Sequence, residues 1–494
     1  MTPATARAKD RVVDRVFLTA LLLLAVLAPL PLGSNREWSW TLCALLTGIL
    51  GLAWAARALI RPGDGRHRLP WGVIGLWAAA CGWVLVQVST AVPESWQHPV
   101  WSLVSEMTHS EIARTEIART EIASAEIASA EIPDEAVTGA EIAGRISLSP
   151  DDSITALMRL VTYGLVFFLS FQLSARAEQA QTVFRWLAGA GLIYAVFGLA
   201  TYWGGLETRL WFAGEGAHQS VRGPFVNRNS FATYLGLCLL CALALFYRRQ
   251  TLRRNPLYQV PRGRQQRIEE FILKAWQPLV VILLMLAALI LTYSRAGFAS
   301  FVVGALTLAV AARYRGQSSS RRSFWALAAA FAVTITAFFM TSEVLLERMD
   351  RVNMDAPGRF HVYALTGAAS EDNPWLGFGY GSYADSFRLY RDDVLRAHYD
   401  MAHNTWMENV FELGWPAAGA LFVSIGLCAL MCLRGVRRRR RDWIFPAVGL
   451  AASVLVAVHS LFDFSLQMPA VAITYACLLG AACAQSISTR GRDR

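Results

Sequence analysis

The chain has 494 residues, 55% hydrophobic and only 17% charged. Soluble domains carry about 25% charged residues, so an ordinary soluble enzyme is excluded and a membrane protein is indicated. The net charge of +10 is almost all arginine, Lys9 and Lys274 being the only lysines. The arginines cluster in short segments between apolar runs, which fits membrane topology and argues against nucleic-acid binding.

A helix of about 20 apolar residues crosses the hydrocarbon core. The first such run, 16–33, follows Arg7, Lys9, Arg11 and Arg15. That pattern suits a signal peptide as well as a retained first helix; the retained helix is adopted because it makes the later loops consistent. Further runs lie at 39–59, 71–92, 154–174, 184–203, 229–247, 277–293, 296–312, 323–341, 409–433, 443–462 and 467–486. Tyr293-Ser294-Arg295-Ala296-Gly297 breaks the stretch 277–312 into a hairpin. The expectation is an all-α polytopic membrane protein. Residues 1–494 form a single membrane domain of about 12 transmembrane helices.

Lys and Arg are retained in the cytoplasm. With the N-terminus inside, the inner loops are 60–70, 175–183, 248–276, 313–322, 434–442 and the C-terminal tail. Loop 60–70 holds Arg61, Arg66 and Arg68. Loop 248–276 carries eight basic residues against Glu269 and Glu270, and loop 434–442 carries Arg434 and the run Arg437 to Arg441. Every inner loop is basic or mildly so, and both termini are cytoplasmic. The basic runs read as topology anchors touching anionic lipid.

Two outer loops are long. Loop 93–153 is acidic and contains a low-complexity pentad repeat beginning Glu111-Ile112-Ala113-Arg114-Thr115. A five-residue step turns about 140° on a helix, so its isoleucines form no stripe, and a solvated segment without a catalytic role is expected. Loop 342–404, between helices 9 and 10, holds Arg348, Arg351, Arg359, Arg388, Arg391, Tyr380, Tyr383, Tyr390 and His403. It reads as a folded cap. Its Trp375-Leu376-Gly377-Phe378-Gly379-Tyr380-Gly381 segment can be read as a phosphate cradle, but it follows no evident strand. A turn that lets aromatics pack is the preferred reading.

All eight cysteines lie in apolar runs. Cys238 and Cys241 have CxxC spacing within a span and read as packing residues. No disulfide framework is implied. Seven histidines (His98, His109, His218, His361, His398, His403 and His459) fall at or beyond outer ends of spans, and only His67 falls inside.

The segment from His403-Asn404-Thr405 to Gly414 closes the second loop. Histidine exchanges a proton near neutral pH. At the lip of a bilayer, before a helix carrying Glu408 and Glu412, His403 is a candidate for proton transfer on a lipid-borne substrate. The competing reading is a packed histidine at a helix start, with Asn404 or Thr405 as cap. A metal set of His398, Asp400 and His403 is loosely spaced and lacks a further ligand; no metal is expected.

Arg222 and Arg228 flank Gly223-Pro224-Phe225-Val226-Asn227, and Arg295 sits in the outer turn between spans seven and eight. An outer arginine beside hydrocarbon is costly, so each needs either a carboxylate partner within the bundle or an anionic ligand. The guanidinium fork suits phosphate oxygens, and the three arginines near one surface suit a diphosphate. His459 and Asp463 stand at i,i+4. Asp463 reads as the partner of His459 or of one of these arginines.

These residues also carry a family resemblance. His403-Asn404, nine residues, then Gly414 resembles the histidine motif of the O-antigen ligase and O-antigen polymerase superfamily. Gly223 to Ala232 is similar to that family's segment before span six. Thr292-Tyr293-Ser294-Arg295 resembles its arginine turn. Arg359 with Asn373-Pro374-Trp375-Leu376-Gly377-Phe378-Gly379 resembles its large loop, and His459-Ser460-Leu461-Phe462-Asp463-Phe464 its late-span motif. The resemblance covers roughly 155–485. Ala417 departs from the pattern, where members often have a small or polar residue, and the pentad repeat is foreign to it.

The resemblance implies a metal-independent, cofactor-free integral-membrane glycosyltransferase. It would act at the periplasmic face of the bacterial inner membrane, as an O-antigen ligase or an O-antigen or exopolysaccharide polymerase. The donor is then a glycan on undecaprenyl diphosphate, and the acceptor is lipid A–core sugar or another lipid-linked repeat unit. His403 acts as general base. Arg222 and Arg295 hold the diphosphate, with Arg228 and Arg359 as second choices and Asn404, Glu408, His459 and Asp463 in support. The alternatives are a flippase or transporter for a lipid-linked glycan, or a non-catalytic polysaccharide assembly protein. A transporter more often shows internal repeats or polar residues at mid-bilayer; here the unusual polar groups gather at the outer end.

Overall fold

The computed structural model describes residues 3–60, 69–108, 143–204, 208–209, 212–213, 220–253, 264–315, 355–395 and 399–487. The ninth expected span (323–341), the pentad repeat, Arg348, Arg351, His67, His109, His218 and His398 lie outside these residues. The long helices are α1 (Pro3–Leu27), α2 (Glu37–Ile60), α3 (Trp71–Val88), α4 (Pro150–Leu173), α5 (Ala177–Trp203) and α6 (Arg228–Arg253). They continue with α7 (Arg264–Leu291), α8 (Arg295–Tyr314), α9 (Asp355–Asp372), α10 (Thr405–Arg438), α11 (Ile444–His459) and α12 (Pro469–Ser486). A two-residue ladder pairs Thr208–Arg209 with Phe212–Ala213. Among the described residues, eight helices are long and apolar enough to cross a membrane: α2, α3, α4, α5, α6, α8, α10 and α12. Trp276–Leu291 of α7 and all of α11 are shorter apolar helices.

Between helices in lipid there is little hydrophobic drive, so small residues that let backbones approach decide the packing. α12 is rich in Ala, Gly, Cys and Thr and sits at the centre. Its apolar window is 94% buried, against 11% for α2. A methyl group at Gly480 would lie 2.4 Å from the Phe167 carbonyl oxygen, so α12 touches the α4 backbone there. Ser170 Oγ donates to the Cys477 carbonyl across the same contact (2.6 Å). All eight cysteines are buried and unbridged.

α6, α8 and α11 pack in a shared register. A methyl at Gly297 would meet Ala232, one at Gly236 would meet Leu455 and Phe301, and one at Gly304 would meet Ala451, Leu455 and Leu240. Positions 232, 236 and 240 of α6 therefore run level with 297, 301 and 304 of α8. α11 runs the other way. One turn beyond Leu455, His459 stands at the level of Ala232 and Gly297, beside the α6 and α8 starts at Arg228 and Arg295.

Two helix boundaries differ from expectation for local reasons. α7 begins at Arg264, inside the basic stretch 248–276, and continues through Pro278. α10 is broken at Gly414, which adopts φ 71° and ψ 163°, two residues before Pro416. A proline cannot donate to the preceding turn, and glycine tolerates the left-handed backbone that the break needs. The α7–α8 hairpin turns at Tyr293 (φ 53°), and the Ser294 side chain caps α8 by accepting from Gly297 N.

Candidate functional site

The site forms where the start of α10 is stapled to the end of α11. Asn404 caps α10, its Oδ1 accepting from the N–H groups of Trp406 (3.1 Å) and Met407 (3.2 Å). Thr405 N donates to the Ser460 carbonyl and Thr405 Oγ1 to the Asp463 carbonyl, both at 2.9 Å. Trp406 Nε1 donates to the Ala457 carbonyl. These bonds fix the residue before the cap, His403, against the turn 460–464. His403 itself has φ 56°, in the left-handed region where histidine is more common than most side chains.

In that position His403 Nδ1 lies 3.4 Å from Oδ1 of Asp463, an ion-pair distance longer than a formed hydrogen bond. Asp463 is fully buried, whereas the His403 side chain is 24% exposed. Nδ1 is buried, so the exposure falls on the rest of the ring and leaves Nε2 facing outward. The Phe464 ring stands edge-on, 4.9 Å from the imidazole. Burial works to raise the Asp463 carboxyl pKa, but His403, the His459 charge and the Phe464 backbone hold it below the usual carboxylate value. Its second oxygen accepts from Ser465 Oγ (3.2 Å).

The expected partner of Asp463 was His459 or an outer arginine; the structure adds His403 as its ion-pair contact, while His459 acts on it through its charge. The helical turn does continue past His459, with Asp463 N bonded to the His459 carbonyl at 3.1 Å. The carboxylate nonetheless turns toward His403, because the Thr405 hydroxyl pins the Asp463 carbonyl beneath the α10 start. His459 is buried beside it, with neither ring nitrogen hydrogen-bonded among the described residues. The two readings of His403 therefore coexist: it precedes a cap, as the packed reading requires, and it keeps an open ring edge.

Glu408 ties the two loops that carry the pair. Its Oε2 accepts from the Ala402 N–H (2.8 Å), next to His403, and its Oε1 accepts from Gln467 Nε2 (2.7 Å), close to Asp463. Glu412, one turn on, accepts from the Tyr383 N–H. Replacing Glu408 by Ala would strand both donors, which costs about 1–3 kcal/mol for each buried group. Glu408→Gln still accepts from Ala402, and a flipped Gln467 amide satisfies the new donor with its otherwise unpaired Oε1. Glu408→Ala is expected to lower both thermal midpoint and transfer rate and Glu408→Gln to do little, as thermal unfolding and a turnover assay would read.

The stretch 355–395 supplies a further wall. On α9, Arg359 and Tyr363 share a face at i,i+4. Tyr363 donates its hydroxyl to the His403 carbonyl at 2.9 Å. Burial pushes the Tyr363 phenol up, the Arg359 charge opposes this, and the Asp463 charge adds to it. Arg359 thus stands within electrostatic reach of Tyr363, which bonds the His403 carbonyl. His361 and Asp392 form a half-exposed ion pair at 2.6 Å nearby.

The glycine segment is a packing turn. Gly377, Gly379 and Gly381 all have positive φ. The Phe378, Gly379 and Tyr380 N–H groups are bonded to the Phe411 carbonyl, the Glu412 carbonyl and Gln87 Oε1, so they are not offered to a phosphate. Phe378 stacks on Phe411 with centroids 4.4 Å apart.

Arg222, Arg228 and Arg295 occupy the same end of the bundle. Val221 N bonds to the Leu291 carbonyl (2.9 Å), joining the 220–228 segment to the α7–α8 turn that carries Arg295. Arg222 Nε contacts Ser220 Oγ at 3.1 Å. Arg228 and Arg295 are exposed, so Arg295 is not enclosed by the bundle. By the glycine register both stand level with His459, and the turn Ser465–Gln467 after Asp463 packs on α6. Among the described residues no group of three His, Cys, Asp or Glu is arranged to hold a metal ion.

The sequence reading missed three contributors. Gln87 of α3 bridges the Leu376 and Glu412 carbonyls through Nε2 (2.7 and 2.8 Å); a glutamine in an otherwise apolar span was its signal. Tyr363 and Gln467 carried none, since their roles come from tertiary contacts. Thr405, expected as an alternative cap, instead holds the Asp463 carbonyl. In comparison with known families, residues 280–422 match the model Wzy_C, O-Antigen ligase. The match includes Arg295, Arg359, His403, Asn404 and Glu408, and ends before His459 and Asp463. No curated protein matches the chain. Helices fit to cross a membrane, together with this match, support placing the chain among multi-pass membrane proteins of the O-antigen ligase superfamily.

Proposed function

We propose that the protein transfers a glycan from undecaprenyl diphosphate to an acceptor hydroxyl at the periplasmic face of the bacterial inner membrane, as ligase or polymerase. The topology has about twelve spans and both termini in the cytoplasm. One observation carries the reading: within a stretch resembling O-antigen ligases, a histidine with a buried carboxylate behind Nδ1 turns its other nitrogen outward. Asp463 favours the tautomer with the proton on Nδ1, so Nε2 keeps its lone pair. The acceptor hydroxyl gives its proton to Nε2 as its oxygen bonds the donor's anomeric carbon. The bond from that carbon to the phosphate oxygen breaks, and undecaprenyl diphosphate leaves with the bonding electrons.

Arg222 and Arg295 neutralise the charge growing on the leaving diphosphate, with Arg228 and Arg359 at the rim. Removing one donor that stabilises developing charge costs about 10²–10³ in rate. Arg222→Ala and Arg295→Ala are each expected to lose that much. Arg→Lys should recover only part, since a point charge lacks the planar fork. The test is complementation of a deletion strain scored by surface-polysaccharide gels. A lost ligase leaves unattached long polymer, and a lost polymerase leaves single repeat units. Glycan accumulating on the cytoplasmic side would instead mean transport and would sink the proposal.

A further inference from the structure

A cavity of about 440 Å³ opens between α5, α6 and α7, far from His403. Its walls include Leu245, Phe246 and Val281, and Arg185, Arg248 and Arg249. α11 measures the separation. Asp442, just before its start, binds Arg248 at 3.0 Å, and His459 is its last residue. Its 16 residues span about 24 Å at 1.5 Å per residue.

The three arginines differ in what they can still hold. Arg248 is engaged: Nε and Nη2 both donate to Asp442 Oδ1 (3.1 and 3.0 Å), and its guanidinium lies over the Phe445 ring. Arg185 and Arg249 are exposed and make no hydrogen bond or ion pair with the described residues. Arg185 is also not a loop residue. It stands about two turns inside α5, as the second residue of the apolar run 184–203, where a lone arginine meets the edge of the hydrocarbon.

We propose that this cleft binds one anionic phospholipid of the inner leaflet. Arg185 and Arg249 take the phosphodiester, and the first methylenes run along Leu245, Phe246 and Val281 before the chains pass into the bilayer. The volume falls in the range of about 300–1,000 Å³ for small-molecule sites, enough for a headgroup and glycerol. Inorganic phosphate would use the arginines and waste the apolar wall; a zwitterionic lipid would use the wall and bring no net charge. Basic clefts between helices on the cytoplasmic side suit anionic headgroups. The proposal uses no step of glycan transfer, so it stands or falls separately from the proposed function.

The test is native mass spectrometry of the purified full-length protein in detergent, with phosphatidylglycerol or phosphatidylcholine added and no glycan present. The wild type is expected to retain one phosphatidylglycerol in preference to phosphatidylcholine. Arg185→Gln with Arg249→Gln should weaken that binding roughly 25-fold, since each arginine near the headgroup is worth about a factor of five. Ala188→Trp, which fills the cleft without changing charge, should weaken it as well. Arg437→Gln with Arg438→Gln, exposed inner-loop arginines outside the cleft, should not. Equal retention of the two lipids, unchanged binding in the double cleft variant, equal loss in the loop control, or displacement by millimolar inorganic phosphate would each overturn the proposal.

Discussion

Removing the His403 imidazole is expected to reduce glycan transfer by about 10²–10⁴-fold, the usual contribution of a positioned general base. That corresponds to about 3–5 kcal/mol of transition-state free energy. The choice of substitution matters because His403 has φ 56°. Alanine keeps the Cβ and loses the tolerance of this region that histidine shows, so a fall in stability would be mixed into its rate. Asparagine tolerates the left-handed region and cannot serve as a base, so His403→Asn separates the two effects. It should keep its thermal midpoint within a few degrees and lose the rate. A folded His403→Asn protein with wild-type turnover on a lipid-linked donor would remove His403 from the mechanism.

Much of this was legible in the sequence, but unevenly. A helix stands at each of the eleven expected spans that fall on described residues, because length and apolarity are local properties of a segment. The hairpin at Tyr293-Ser294-Arg295 was legible for the same reason, a polar break inside an apolar run. His403 stood out by its residue type and its place at the end of a polar loop. Its partner did not stand out. Asp463 is 60 positions away, and its i,i+4 relation to His459 pointed to that neighbour instead. The side chain's direction is decided by the Thr405 hydroxyl and the Ser460 carbonyl, contacts that exist only once α10 and α11 pack. The break at Gly414 is an intermediate case. Leu413-Gly414-Trp415-Pro416 contains both a glycine and a proline, yet the break follows from a packing demand. A methyl at Gly414 would lie 2.5 Å from the Trp375 carbonyl oxygen, and the Trp415 N–H donates to the Pro374 carbonyl at 2.8 Å. The glycine loop and the broken helix fit each other, and neither half predicts that alone.

Asp463→Asn is the second change expected to have a large effect, and it distinguishes an orienting role from a structural one. The carboxylate faces Nδ1 at 3.4 Å and so favours the tautomer that keeps the lone pair on Nε2. An amide in its place can donate to Nδ1, which moves the ring proton to Nε2 and leaves no acceptor facing the substrate. A comparable exchange behind a catalytic histidine in a serine protease costs about 10⁴-fold with geometry intact, so a loss of about 10²–10⁴-fold is expected here. Stability should change in a definite pH window. The Asp463 carboxyl is held below its ordinary value, so its contribution is fully present above the unfolded-chain value of about 3.9. That contribution is lost as pH falls through the lower folded value. The gap in thermal midpoint between wild type and Asp463→Asn should therefore be constant near neutral pH and close below about pH 4. A merely structural Asp463 predicts the same stability gap but an unaltered rate once the folded fraction is taken into account. An orienting Asp463 predicts that the rate is lost while the protein remains folded. Because the carboxylate is fully buried and the imidazole half-open, substrate reaches only the nitrogen that Asp463 leaves unprotonated, and the rate is where its loss must show.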